Sequence, residues 1–289
     1  MTACLTMCPS SKKNPDAYPT FAEKYTDEDV QNNSLVVECG ERSRFISLFD
    51  IYLNENGMDP QYTGITSFDG EGAITSAIDY VVNEEQPVMY VLEGHGEAEL
   101  PKPFNEQIRK SNIETRSFSL LSADAVPKDA ACLMIHAPSS DFSLEEVEML
   151  RGYVADGGKL FVAVGPVVDG SLPNIYSLLS DYGVETTEGV VVEQDRGFYA
   201  FREPFALLPT MSTGELTDPL LEEHYLPILP IAQGLTIAKV PGNAEVTPLL
   251  TTSPTSFSKA AGYKLTTYDK EEGDSDGPFT VAVDIQKYE

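Results

Sequence analysis

Basic residues are scarce in this chain: 19 Lys+Arg stand against 46 Asp+Glu, a formal net charge of −27 that three histidines cannot reverse. The shortage argues against nucleic-acid binding, which needs a cationic footprint to neutralise phosphates. It argues equally against electrostatic docking on anionic lipid. Cysteine is sparse as well: Cys4, Cys8, Cys39 and Cys132 show no CxxC spacing and are too few for a disulfide scaffold in 289 residues. No apolar run approaches the roughly 20 residues of a transmembrane helix, and the N-terminus lacks the basic-then-apolar order of a signal peptide. Neither GxGxxG nor GxxxxGK[ST] occurs, so nucleotide hydrolysis would fall to a partner.

What remains is a globular composition. Hydrophobic residues make up 42% and charged residues 22%, enough apolar content to bury a core. Residues 1–19 mix Ser, Lys, Asn and Pro without periodicity and read as a mobile lead-in. Within residues 20–69, Ser34–Cys39 and Arg44–Phe49 predict a hairpin that packs on the core, turning through Gly40–Ser43.

Residues 70–196 read as an α/β core domain. Ala73, Ile74, Ala77, Ile78 and Val81 recur at helical spacing and predict a core-facing helix. Strand and helix patterns then take turns: strand Val88–Leu92, helix Leu100–Lys110, strands Ile113–Phe118 and Ala130–Ala137, then strand Lys159–Val164, helix Asn174–Tyr182 and strand Val190–Val192. Between them Ser143, three residues before Glu146, predicts a capping box for a helix carrying Val147, Leu150, Tyr153 and Val154 and stopped by Gly157-Gly158. Continuous apolar strands alternating with helices imply a mostly parallel sheet covered on both faces, with ligands expected at the C-terminal strand ends.

From 197 to 289 the rhythm stops. Pro204, Pro209, Pro219, Pro227, Pro230, Pro241, Pro248 and Pro254 punctuate short β-type pieces such as Leu235–Val240, and an irregular β-rich extension packed on the core is expected. Lys270–Gly277 reads as an acidic loop before a last strand at Phe279–Ile285.

The order of motifs has a family likeness. Tyr90-Val-Leu-Glu-Gly-His-Gly-Glu97 is followed by Val126–Ala130, Ala137-Pro138, Leu144–Val147 and Tyr153–Leu160. Leu172–Asn174, Leu178–Gly183, Gly189–Val192 and Pro248–Ser253 then come in turn, with Gly70–Ala77 upstream. In this collinear series the chain resembles the GldG-like auxiliary components of ABC transport systems, first associated with gliding motility. The resemblance implies an extracytoplasmic domain with a glutamine-amidotransferase-like or flavodoxin-like core, carried between transmembrane helices. Such helices are absent here, so an excised soluble domain at the outer face of the cell membrane is expected, touching the membrane only through segments outside this chain. The implied partners are the permease and ATPase subunits; no cofactor is implied.

Candidate site residues gather at the GHGE run. Gly94 and Gly96 permit a tight turn at a strand end, and Glu97 could begin the next helix. Glu93, Gly94, His95, Gly96, Glu97 and His136 therefore form the candidate ligand-binding set; of these Glu93, His95, Glu97 and His136 are compatible with a metal, although one sequence cannot show that they converge. His95 with Glu97 could be an acid/base pair of a hydrolase or transferase, or His95 could simply hydrogen-bond neighbouring loops. Cys132 lies inside an apolar strand with no flanking glycine, the setting of a structural thiol rather than a nucleophile. His224 carries no partner pattern, and Asp141, Glu145, Glu146 and Glu148 read as a solvated helix face. The sequence favours a non-enzymatic domain that binds a substrate or partner; an enzyme at His95 and Glu97, or a structural spacer that oligomerises, are the alternatives.

Overall fold

The computed structural model describes residues 10–14, 17–27, 30–53, 67–238 and 244–288. Cys4, Cys8, most of the lead-in and the end of the Leu235–Val240 piece lie outside them. The chain divides into two compact units, one from residues 1–88 and 100–115, the other from residues 89–99 and 116–289.

The first unit opens with a helical turn, α1 (Pro19–Ala22), and the hairpin β1 (Leu35–Cys39) and β2 (Arg42–Ile46), registered Leu35↔Ile46 through Cys39↔Arg42. The second predicted strand is cut short, because Ser47 and Asp50 form a reciprocal capping box that starts α2 (Leu48–Ile51). A two-residue pair, β3 (Tyr52–Leu53) with β4 (Ser67–Phe68), leads to α3 (Gly70–Val82). This helix packs across the hairpin and buries Ala73, Ala77 and Val81, whereas Ile74 and Ile78 are exposed. The predicted five-residue face thus keeps three members: the small alanines let the helix lie close to Ile46 and Ile51, and the two isoleucines ride beside that seam. Helix α4 (Lys102–Lys110) completes the unit through ion pairs from Arg109 to Asp50 (2.8 Å) and from Lys110 to Asp69 (2.6 Å).

The second unit contains a four-stranded sheet in the order β6 (Glu114–Phe118), β5 (Val88–Leu92), β7 (Ala130–His136), β8 (Leu160–Ala163), the first residues of β5 and β6 being grouped with the first unit. Pro87 O receives Glu114 N at the start of the β5/β6 pair and Phe118 O receives Glu93 N at its end, so these strands run parallel, as do β7 and β8. Strand β7 is less uniformly apolar than its sequence suggests, burying Leu133, Met134 and Ile135 but exposing Ala131. Helix α5 (Leu144–Ala155) starts at the predicted Ser143/Glu146 capping box and buries Val147 and Leu150. Helix α6 (Pro173–Ser180) packs against it.

Beyond α6 the pairing turns antiparallel. The elements are β9 (Val184–Thr186), β10 (Val190–Val192), β11 (Ala206–Leu207), β12 (Thr210–Met211), α7 (Asp218–Glu222), β13 (Leu229–Pro230), β14 (Leu235–Ile237), β15 (Ala244–Thr251), β16 (Phe257–Lys259), β17 (Ser275–Asp276) and β18 (Thr280–Lys287). A five-stranded sheet runs β12-β15-β18-β14-β9, and a three-stranded one β10-β16-β17. Two expectations change. Val190–Val192 does not extend the parallel sheet but pairs antiparallel with Phe257–Lys259. Pro248 does not break its segment either: it sits where the β15/β18 register shifts, a bulge that spares the ladder the missing N–H. The predicted acidic loop also holds β17, which pairs with β16.

Candidate functional site

The GHGE run leaves the C-terminal end of β5, where parallel sheets place their ligands. Its glycines are required by geometry: Gly94 has φ +124° and Gly96 φ +71°, and a Cβ on Gly96 would lie 2.1 Å from Ser139 Oγ. So close an approach lets the His95 carbonyl accept from the amides of Ser139 and Ser140, both at 3.0 Å, and from their hydroxyls at 3.2 and 3.0 Å. Glu97 begins no helix; it folds back, and its Oε2 accepts the His95 amide at 2.8 Å.

The His95 ring is turned inward and is 5% exposed as a residue. It stacks on buried Phe142 with centroids 4.0 Å apart and planes at 22°. Nε2 lies 3.2 Å from Glu146 Oε2, and because a carboxylate only accepts, this nitrogen carries the proton in the neutral tautomer as well as in the cation. Nδ1 stands 3.5 Å from Glu97 Oε1 without a hydrogen bond. One imidazole is therefore held between two buried carboxylates, with His95 Nδ1, Glu97 Oε1 and Glu146 Oε1 lacking hydrogen-bond partners.

Glu146 was not among the candidate residues, and it belongs to no solvated face: it is buried, and its Oε2 also accepts the Ser143 amide at 2.8 Å. Burial pushes its carboxyl pKa up, but the amide and hydroxyl of Ser143 and the charge and hydrogen bond of His95 outweigh this and hold it below the usual carboxylate value. Asp141 likewise turns inward, accepting the amides of Asn174 (2.8 Å) and Ile175 (3.2 Å) at the start of α6. Glu145 and Glu148 remain exposed as expected.

The other candidates take separate places. His136 Nδ1 donates to the Ala98 carbonyl at 2.9 Å while its own carbonyl accepts the Ala98 amide, tying β7 to the residues after GHGE. Glu93 is exposed at the strand end. Among the described residues no group of three or more His, Cys, Asp or Glu could hold a metal ion. Cys132 is half-buried, and burial pushes its thiol pKa up, the reverse of what a nucleophile needs.

A second polar cluster emerges at the threonine-serine motif. Glu193 is buried; its Oε1 accepts the Ser253 amide at 2.8 Å and its Oε2 the Ser253 hydroxyl at 2.6 Å. Burial raises the Glu193 pKa, which the Ser253 bonds do not offset and nearby Asp195 reinforces. Thr252 Oγ1, buried as well, accepts the Phe279 amide at 2.8 Å and lies 2.7 Å from Ser256 Oγ. Nearby in sequence, the fully buried Lys259 sends Nζ to Asp274 Oδ2 (3.0 Å), Asp269 O (2.9 Å) and Glu271 Oε2 (2.5 Å). The acidic loop is thus folded around a cation that its composition alone did not reveal.

Residues 86–202 match the model of the family ABC_transp_aux, described as an ABC-type uncharacterized transport system. No curated protein sequence matches the chain. Among solved structures, the mmIFT52 N-terminal domain aligns at 17% identity with a TM-score of 0.44 over 58% of this chain and 74% of that one. PurLQS from Thermotoga maritima aligns at 8% identity and a TM-score of 0.27 over 58% and 75%.

Proposed function

We propose, from the match of residues 86–202 to the family model of an ABC-type transport system, that this chain is a non-enzymatic, GldG-like domain that binds a partner or substrate of such a system. The observation that carries the non-enzymatic part is the enclosure of His95. An acid/base histidine must reach a substrate proton, whereas this ring is stacked on Phe142 and held between Glu97 and Glu146, and its carbonyl is surrounded by Ser139 and Ser140. The GHGE run then works as a joint that fixes the strand end, and binding is left to the surface around it. The parallel sheet supports a core of the flavodoxin or amidotransferase kind.

The reading extends to location and partners: the domain faces away from the cytoplasm and meets the permease, while the ATPase subunit supplies hydrolysis. It is tested by cross-linking the full gene product in intact cells, solubilising the membranes and identifying what is captured. Recovery of an ABC permease or ATP-binding subunit is expected; consistent capture of neither overturns the proposal. Among the described residues no helix is long and apolar enough to cross a membrane.

A further inference from the structure

The stretch of chain that follows β10 and precedes β14 forms a groove of about 380 Å³ in the second unit, lined by Phe198, Leu208, Met211, Leu221, Tyr225 and Leu226 among others. Its wall is mostly apolar, with Tyr225 61% exposed and Leu226 74%, beside the exposed polar residues Thr210 and His224; Phe201, outside the lining but in the same stretch of chain, is 76% exposed. Large side chains concentrated on one exposed stretch mark interaction surfaces more often than isolated ones do. The backbone agrees. Phe201 (φ 55°), Arg202 (φ 62°), His224 (φ 58°) and Ile231 (φ 59°) adopt the left-handed region that non-glycine residues avoid, and such geometry gathers at functional surfaces.

The surroundings select the occupant. Asp195, Glu203, Glu215, Asp218, Glu222 and Glu223 are exposed along this stretch against only Arg196 and Arg202. A second copy of a chain with net charge −27 is repelled, and anionic lipid is repelled for the same reason. Glu222 and Glu223 lie in the chain between the lining residues Leu221 and His224, and what complements a mostly apolar groove in so acidic a stretch is an amphipathic segment with Lys or Arg beside its apolar face. We propose that this groove docks such a basic amphipathic segment of a partner protein, its Leu, Ile or Phe side chains entering between Met211, Leu221 and Leu226 and its cations meeting Asp218, Glu222 and Glu223. The proposal rests on the transport reading only for the partner's identity.

The test uses the full chain and fluorescently labelled 14-residue peptides. One carries Leu and Lys at helical spacing, a second replaces Leu by Gly, and a third replaces Lys by Glu. The Leu/Lys peptide is expected to bind at least tenfold more tightly than either of the others and to weaken as salt rises. Tyr225→Ser with Leu226→Ser, both at exposed positions, should weaken it at least tenfold while leaving the thermal melt unchanged. Glu222→Lys with Glu223→Lys gives an independent check that touches no apolar contact, and it too should weaken binding. The proposal is overturned if the Gly/Lys peptide binds as well, if the Leu/Glu peptide binds as tightly, or if neither double variant changes the affinity. It is overturned as well if light scattering shows a dimer, or phosphatidylcholine vesicles show binding, that the Tyr225/Leu226 variant abolishes. Peptide binding without capture of transport subunits would retain the groove and remove the transport reading; the reverse result would do the opposite.

Discussion

Two buried glutamates in one unit meet opposite fates. Glu146 faces an imidazole and a helix-start amide, and its carboxyl is held below the ordinary value of 4.5. Glu193 has an amide and a hydroxyl from Ser253 but also the charge of Asp195 nearby, and its carboxyl is raised above the same value. Both are nearly solvent-free, and both accept well-formed hydrogen bonds. Hydrogen bonds alone do not settle the charge of a buried acid: the Ser143 bonds together with His95 outweigh burial at Glu146, whereas at Glu193 burial outweighs the Ser253 bonds and Asp195 adds to it, so that the ionisable neighbour on the Glu146 side of the contrast is His95.

Removing that group should break the contrast with the largest effect. His95→Ala leaves Glu97 and Glu146 facing each other across a cavity beside Phe142, and a loss on the order of 3 kcal/mol is expected in chemical denaturation. A denaturation midpoint equal to that of the unmodified chain would show that the ring stabilises nothing. Gly96→Ala attacks the same cluster through the backbone, by strain at φ +71° and collision with Ser139. It should cost about 2 kcal/mol, and a melting temperature unmoved by this change would mean that the turn can re-form elsewhere.

The finer predictions concern pH. Glu146 ionises more readily in the folded chain, so its contribution is present above the ordinary carboxyl value and is lost as pH falls through the lower folded one. Glu146→Gln should cost about 1 to 2 kcal/mol at pH 7 and flatten the acid limb of the stability curve; an unaltered acid limb would refute the assignment. Glu193 has the opposite sign. Its raised pKa favours folding at low pH, and that contribution is lost as pH rises through the folded value. Glu193→Gln should therefore shift stability at pH 7 by less than about 1 kcal/mol, toward greater stability, because the amide still accepts the Ser253 amide without a buried charge. A loss as large as that of Glu146→Gln would erase the contrast.

Much of the parallel sheet was legible because its signals are local. Val88–Leu92 is a strand at its predicted bounds, and Ser143 with Glu146 is the predicted capping box, since both follow from spacings of a few residues. Gly94 and Gly96 are likewise the turn residues that the sequence suggested. The site was only half visible. Glu146 reads as a helix cap and nothing in sequence aims it at His95, a contact across 51 positions. The same limit applies to Asp141, to Lys259 inside its acidic loop, and to Val190–Val192, whose antiparallel partner lies beyond several prolines. Proline spacing suggested breaks where β15 absorbs Pro248 at a bulge, because a bulge depends on the partner strand.

Glu146 Oε2 has one further consequence. A single oxygen receives both the Ser143 amide that opens α5 and the His95 nitrogen at the end of β5. The helix cannot fray at its first turn without releasing the imidazole, nor can the strand end swing out without loosening the helix. In hydrogen-exchange terms the amides of His95 and Ser143 belong to one cooperative opening, so two segments far apart along the chain should exchange on a common clock.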